Sequence, residues 1–156
     1  VDYMMHDTYY VVAHIHYVFF AGSFLSIMAG VYYWFPKMTG RMLSEKLGSW
    51  HFWTTFIFMN ITFFPMHFLG MMGMPRRIPD YNPVYTDLHT LASVGSFALG
   101  VVQLLLLVNI GYSLKHGKKA GNNPWGEGAT TLEWSVTSPP PEHNFERIPV
   151  IKGQGH

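Results

Sequence analysis

Cysteine is absent from the 156 residues, which excludes disulfides, thiolate metal sites and cysteine nucleophiles. Charge is nearly as scarce: Asp, Glu, Lys and Arg make up 12% of the chain, about half the share usual in a soluble domain. No signal peptide is visible in Val1 to Tyr10, which has neither a basic start nor an apolar run, and there is no internal repeat. The chain also starts without Met, as though inside a loop. What is present is apolar, with 49% hydrophobic and 17% aromatic residues. Residues 8–36, 47–75 and 88–114 contain no acid, Lys or Arg. A transmembrane helix needs roughly 20 predominantly apolar residues, and a soluble helix rarely goes so long without charge on its wet face. The gaps predict an all-α integral membrane helix bundle: a membrane segment, 1–116, with helices near 11–34, 50–73 and 89–114, then a tail, 117–156.

The few charges are unevenly placed. Lys37, Arg41 and Lys46 lie in the first loop and Lys115, Lys118 and Lys119 open the tail, so both are expected on the cytoplasmic or matrix side. Val1 to Tyr10 and the Gly73 to Asp87 loop then lie outside. Arg76 and Arg77 in that loop break the rule. Either Asp80 and Asp87 neutralise them, or the guanidinium forks bind an anionic group.

Gly22, Ser26 and Gly30, and likewise Ala92, Ser96 and Gly100, place small residues four apart, a stripe that lets helices approach closely, so these spans are expected to pack against other helices, of this chain or of another. Pro65 removes a backbone hydrogen bond and predicts a bend near Asn60 to Thr62. Tyr32, Tyr33, Trp34, Trp50 and Trp53 read as interfacial anchors. After Gly117 the tail is rich in Gly, Pro, Asn and Ser and is expected to be extended, lying over a larger protein.

His14 and His16 flank Ile15 near the start of the first apolar run. On a helix, residues two apart point about 200° from one another, so the pair cannot easily share one metal. Each suits a separate partner, with the helix as a wall between two cofactors; neutral imidazole is a common ligand of haem iron. Two histidines bonded to neighbouring helices are the plainer alternative. His6 and Asp7 offer an N and O donor pair for a hard divalent cation, or else Asp7 or Thr8 is a helix N-cap. His51 and His67 have no metal-ligand spacing and read as structural.

With HDTYYVVAHIHY, FPMHFLGMMGMPRR and NPWGEGATTLEWSVTSPPPEHNF in that order, the chain resembles the C-terminal part of the main subunit of the haem-copper cytochrome c oxidases. The resemblance implies the last three of twelve transmembrane helices. It implies His14 as the catalytic residue and axial ligand of the high-spin haem where oxygen is reduced, and His16 as a ligand of the low-spin haem. It implies magnesium at His6 and Asp7, and Arg76 and Arg77 against haem propionates. The cofactors implied are two haems of the haem A type, haem a and haem a3, with magnesium and a copper whose ligands lie outside this chain. Ile15 stands where Phe is usual and Met66 where Gln is usual; neither removes a ligand.

The activity implied is electron transfer from low-spin to high-spin haem and reduction of oxygen to water coupled to proton pumping, in a complex only. The implied partners are the N-terminal part of the same subunit, a copper A-bearing subunit 2, subunit 3, cytochrome c and the lipid membrane, with no nucleic acid. The implied membrane is the bacterial cell membrane or the mitochondrial inner membrane; the SPPP motif favours the bacterial one. The chain is either one product of a split subunit or a fragment of a longer one. A quinol oxidase of the same superfamily is the near alternative, against which Asp7 counts. A membrane cytochrome that only transfers electrons is the far one, and a non-redox helical subunit a third.

Overall fold

The structure, a computed structural model, describes residues 1–149; the last part of the predicted tail, 150–156, lies outside the described residues. A short helix α1 (Asp2–Met5) precedes α2 (Tyr9–Ile15), a π-helical turn (His16–Ala21) and α3 (Gly22–Thr39). Helix α4 (Glu45–Met71) follows, and a 3-10 turn (Pro83–Tyr85) leads into α5 (Thr86–His116). The column Tyr9–Thr39, α4 and the stretch Pro83–His116 are three helices long and apolar enough to cross a membrane. Among the described residues there is no strand, only isolated bridges pairing Thr8 with Pro75 and Arg41 with Lys119. The chain is an all-α membrane helix bundle.

The first column runs past the far end of its apolar gap and α5 past both ends of its own, whereas α4 begins two residues before its gap and stops at Met71, four residues short of its end. The first column continues past Trp34, through Pro36 and Lys37, to Gly40. Gly40 sits at φ 73° and donates to the Pro36 carbonyl at 2.8 Å, the left-handed stop that favours glycine. Helix α4 begins at Glu45 because buried Asn109 of α5 holds Ser44 by both backbone groups, accepting from its N–H at 3.0 Å and donating to its carbonyl at 3.2 Å.

Helix α4 is the centre of the bundle, packed along α5 and, in its second half, against α2. The close approaches are not at the expected small-residue stripes. A β-carbon at Gly95 would stand 3.0 Å from the Thr62 nitrogen, and one at Gly70 would overlap the Tyr10 backbone nitrogen. Gly22 and Gly100 face open space, with nothing within 4 Å; of the two stripes only Ala92 is buried. Helix α4 stays helical through Pro65, and the carbonyl that Pro65 leaves without an N–H partner, that of Ile61, lies in the turn facing Gly95.

The tail is held down at the far end of α3. Lys37, 5% exposed, donates to the carbonyls of Asn122 at 2.8 Å, Val136 at 2.7 Å and Thr137 at 3.4 Å, and its ammonium stands over the Trp134 ring. Tyr33 stacks on Trp125, whose indole N–H donates to the Tyr33 carbonyl. Tyr33 thus docks the tail while Tyr32 bonds His51 of α4; both are half-buried, whereas Trp50 and Trp53 are exposed.

Candidate functional site

The two histidines of the first helix have different surroundings. Helix α2 meets α4 with Tyr10 and buried Ala13, and Tyr17 continues that face, its hydroxyl donating to Asn60 Oδ1 at 2.7 Å. His16 lies beside this seam, its ring stacked on Phe63 at 4.5 Å. His14 projects from the helix into the open and is exposed.

His16 Nδ1 is 2.7 Å from the Val12 carbonyl. A carbonyl only accepts, so Nδ1 carries the proton and Nε2 keeps its lone pair, the tautomer a metal-ligating imidazole needs when its other nitrogen is tied to backbone. Phe63 and Phe20 also line a cleft of about 460 Å³ bounded by Tyr9, Met66 and His89, an apolar space open beside His16. The donor, its fixed tautomer and the adjoining aromatic cleft suit a large flat iron-bearing cofactor; His14 offers a second, unencumbered imidazole on another side of the same helix.

From His16 to Ala21 the backbone winds as a π-helix. Such turns are rare and occur often at functional sites, and nothing in the residue types marks this one in advance.

The outer groups come together across a long sequence separation. Arg76 grips Asp7 Oδ1 with Nη2 at 2.7 Å and Nε at 2.9 Å, its backbone N–H donates to the Asp7 carbonyl at 2.9 Å, and Tyr9 N–H donates to the Met74 carbonyl at 3.1 Å. The ion pair, more than its mere proximity to charge, holds the Asp7 carboxyl below the usual carboxylate range: the hydrogen bond to Arg76 is the main cause and its positive charge the next. Asp80 instead accepts from the Tyr81 N–H, so Asp7, and not Asp80 or Asp87, is the partner of Arg76. Thr8 is the N-cap of α2, accepting from Tyr10 N–H at 3.3 Å. Arg77 follows at φ 62°, and His6 is exposed, with Nδ1 3.0 Å from the Asp2 carbonyl. Among the described residues no group of three or more His, Asp or Glu side chains could hold a metal. An imidazole and a carboxylate on consecutive exposed residues still suit magnesium, which keeps several waters and takes only one or two protein carboxylates.

His51 and His67 lie elsewhere. Buried His51 accepts at Nδ1 from the Tyr32 hydroxyl, 3.1 Å, and donates from Nε2 to Gln103 Oε1, 3.0 Å; Gln103 in turn donates to Thr55. His67 is half-buried between Tyr10, Tyr17 and Phe64. The Tyr32, Gln103 and Thr55 parts of the first network were not picked out from sequence. A Gln inside an apolar run was the signal.

A profile of the family described as Cytochrome C and Quinol oxidase polypeptide I matches residues 1–98. Cytochrome c oxidase subunit 1 of Thermostichus vulcanus is 51% identical over 97% of this chain and 27% of its own length. That of Cereibacter sphaeroides is 49% identical over 96% of this chain and 26% of its own length, and that of Bacillus subtilis is 44% identical over 97% and 25%. The chain spans about a quarter of the length of these curated relatives. It belongs to the family of subunit 1 of the cytochrome c and quinol oxidases.

Proposed function

We propose that the chain is the C-terminal portion of the haem-bearing main subunit of a cytochrome c oxidase, working only with the upstream part of that subunit and its partners. The observation that carries this reading is the contrast between the two histidines of one helix: His16 with its proton fixed on Nδ1 beside an aromatic cleft, and His14 exposed on another side.

In this reading His16 Nε2 holds the low-spin haem iron and His14 the high-spin iron, and Arg76 and Arg77 lie on the side where acidic haem substituents would be met. His6 and Asp7 hold magnesium; the copper ligands lie outside this chain. The haems, of the haem A type, supply the electron transfer and oxygen chemistry when bound. The protein's part is to fix both irons from a single helix turn and to orient each imidazole. The Val12 carbonyl orients His16 and raises its basicity. The upstream segment, a copper A-bearing subunit 2 and subunit 3 are the partners that cover the exposed apolar faces, cytochrome c is the electron donor, and a bacterial or mitochondrial inner membrane is the setting. Proton pumping belongs to the whole complex. A quinol oxidase is the second reading, favoured only by the matching family spanning both donors.

The test is a reduced-minus-oxidised absorption spectrum of the solubilised complex, with and without carbon monoxide. His14→Ala is expected to abolish the carbon monoxide shift, and His16→Ala to remove the low-spin band. A His14→Ala complex that still binds carbon monoxide normally sinks the assignment.

A further inference from the structure

Arg76 and Asp7 were read from sequence as belonging to two sites, an anion-binding arginine and a cation-binding carboxylate, yet in the folded chain they are one unit. The guanidinium places both Nε and Nη2 on the same carboxylate oxygen, Oδ1, so Oδ2 is left without a hydrogen-bond partner among the described residues. The backbone of the same two residues is joined by the Arg76 N–H to Asp7 carbonyl bond. Asp7 also holds a left-handed φ of 58°, a turn conformation that aspartate tolerates better than most non-glycine residues. Without the arginine, an exposed carboxylate on such a loop would sample several rotamers. With it, Oδ2 has one direction.

We infer that Arg76 is a positioning residue for a divalent cation at His6 and Asp7: it occupies Oδ1 and presents Oδ2 to the metal. This rests on the reading of His6 and Asp7 as magnesium ligands, and it adds that the arginine expected at a haem acidic group is spent at least in part on the cation ligand. Outer partners that orient a ligating group typically change metal affinity by about 10–100-fold when removed. A lysine at position 76 keeps the positive charge but loses the fork that grips one oxygen twice. The substitution therefore separates positioning from charge, since charge alone would oppose a cation and its loss would tighten binding.

The experiment uses the assembled oxidase complex containing this chain, loaded with manganese(II) in place of magnesium and read by electron paramagnetic resonance. Arg76→Lys is expected to weaken manganese retention about tenfold and to broaden its hyperfine lines. Asp80→Asn, a carboxylate in the same loop that does not touch Arg76, is expected to change neither. Should Arg76→Lys fail to assemble, Arg76→Gln replaces it; it also removes the opposing charge, so weaker retention and broader lines are still expected but by less than about tenfold. Wild-type retention and line shape in the arginine variant, or tighter retention, while Asp7→Asn loses manganese, overturns the positioning role. Retention of manganese in Asp7→Asn means instead that the cation is not held there, and the underlying site reading fails.

Discussion

At the histidine end the chain is closed by an exposed ion pair, Asp7 with Arg76, and by two backbone hydrogen bonds between the segments around Thr8 and Pro75. At the tail end it is closed by a buried lysine bonded to three carbonyls, a Tyr and Trp stack and a buried Asn109. The tail end takes a charge out of water and satisfies it from this chain alone, although a cleft of about 530 Å³ lined by Tyr32, Tyr33 and Trp125 stays open there and the buried Trp134 indole N–H has no partner among the described residues. The histidine end leaves His14, Asp7 Oδ2 and a cleft beside His16 open. The fastenings of the histidine end are light and placed beside the groups they orient rather than over them.

The largest expected effect is where α4 packs against the backbone of α2, at Gly70 and Tyr10. Gly70→Ala would drive a β-carbon into the Tyr10 backbone, and no rotamer change can relieve that. Overpacking usually costs about 1–3 kcal/mol; with backbone in the way we expect about 3 kcal/mol or more. Helix α2 would move off α4, carrying both histidines with it. The measurement is the yield of assembled complex and its two haem bands. Wild-type yield would mean that the rest of the subunit, not α4, sets the position of α2.

Next comes Lys37→Met at the other end. It keeps the length of the side chain except for the terminal ammonium and removes the donor from the carbonyls of Asn122 and Val136. A buried acceptor left unsatisfied costs about 1–3 kcal/mol, so we expect a loss of about 2 kcal/mol, confined to the tail. Proteolysis between residues 121 and 139 should accelerate while the haem spectra stay unchanged. A spectral change as large as that of Gly70→Ala would erase the distinction between the two ends.

Much of this contrast was legible in the residues. Three charge-free gaps located the three helices, because a membrane leaves no room for unpaired charge, and the spacing of His14 and His16 put them on different sides of one helix. The helix ends were not legible: Lys37, counted as an inner-face charge, is buried, since what satisfies it comes from carbonyls about a hundred residues away. Asp7 with Arg76, 69 residues apart, is equally invisible to spacing; Asp80 and Asp87 were nearer in sequence and lost to it. Glycine spacing names a surface able to pack, not its partner, and Gly22 and Gly100 meet nothing within this chain. Gly70 and Gly95, outside both stripes, are where the helices of this chain meet.

The smallest effect expected is a change of pH at the tail end. Glu133 accepts from the Trp34 indole N–H at 3.3 Å, and its carboxyl is held below the usual value by its own backbone N–H first, then by the Thr131 hydroxyl, with Trp34 and Lys37 adding to it. A carboxylate depressed in the folded protein contributes stability that is fully present above its unfolded value, near 4.3 for glutamate, and is lost as pH falls through the lower folded value. Docking of the tail should therefore be independent of pH between about 5 and 8 and loosen only in stronger acid. Glu133→Gln should shift that acid limb and leave neutral stability almost unchanged, because the group is close to water and screened. Proteolysis of the tail as a function of pH, in the wild type and in Glu133→Gln, reads both. If the variant loosens the tail at neutral pH as much as Lys37→Met does, the tail is held by its charge at the rim and not by the buried ammonium, and the contrast between an end fastened by a buried charge and one fastened by an exposed ion pair fails at its stronger half.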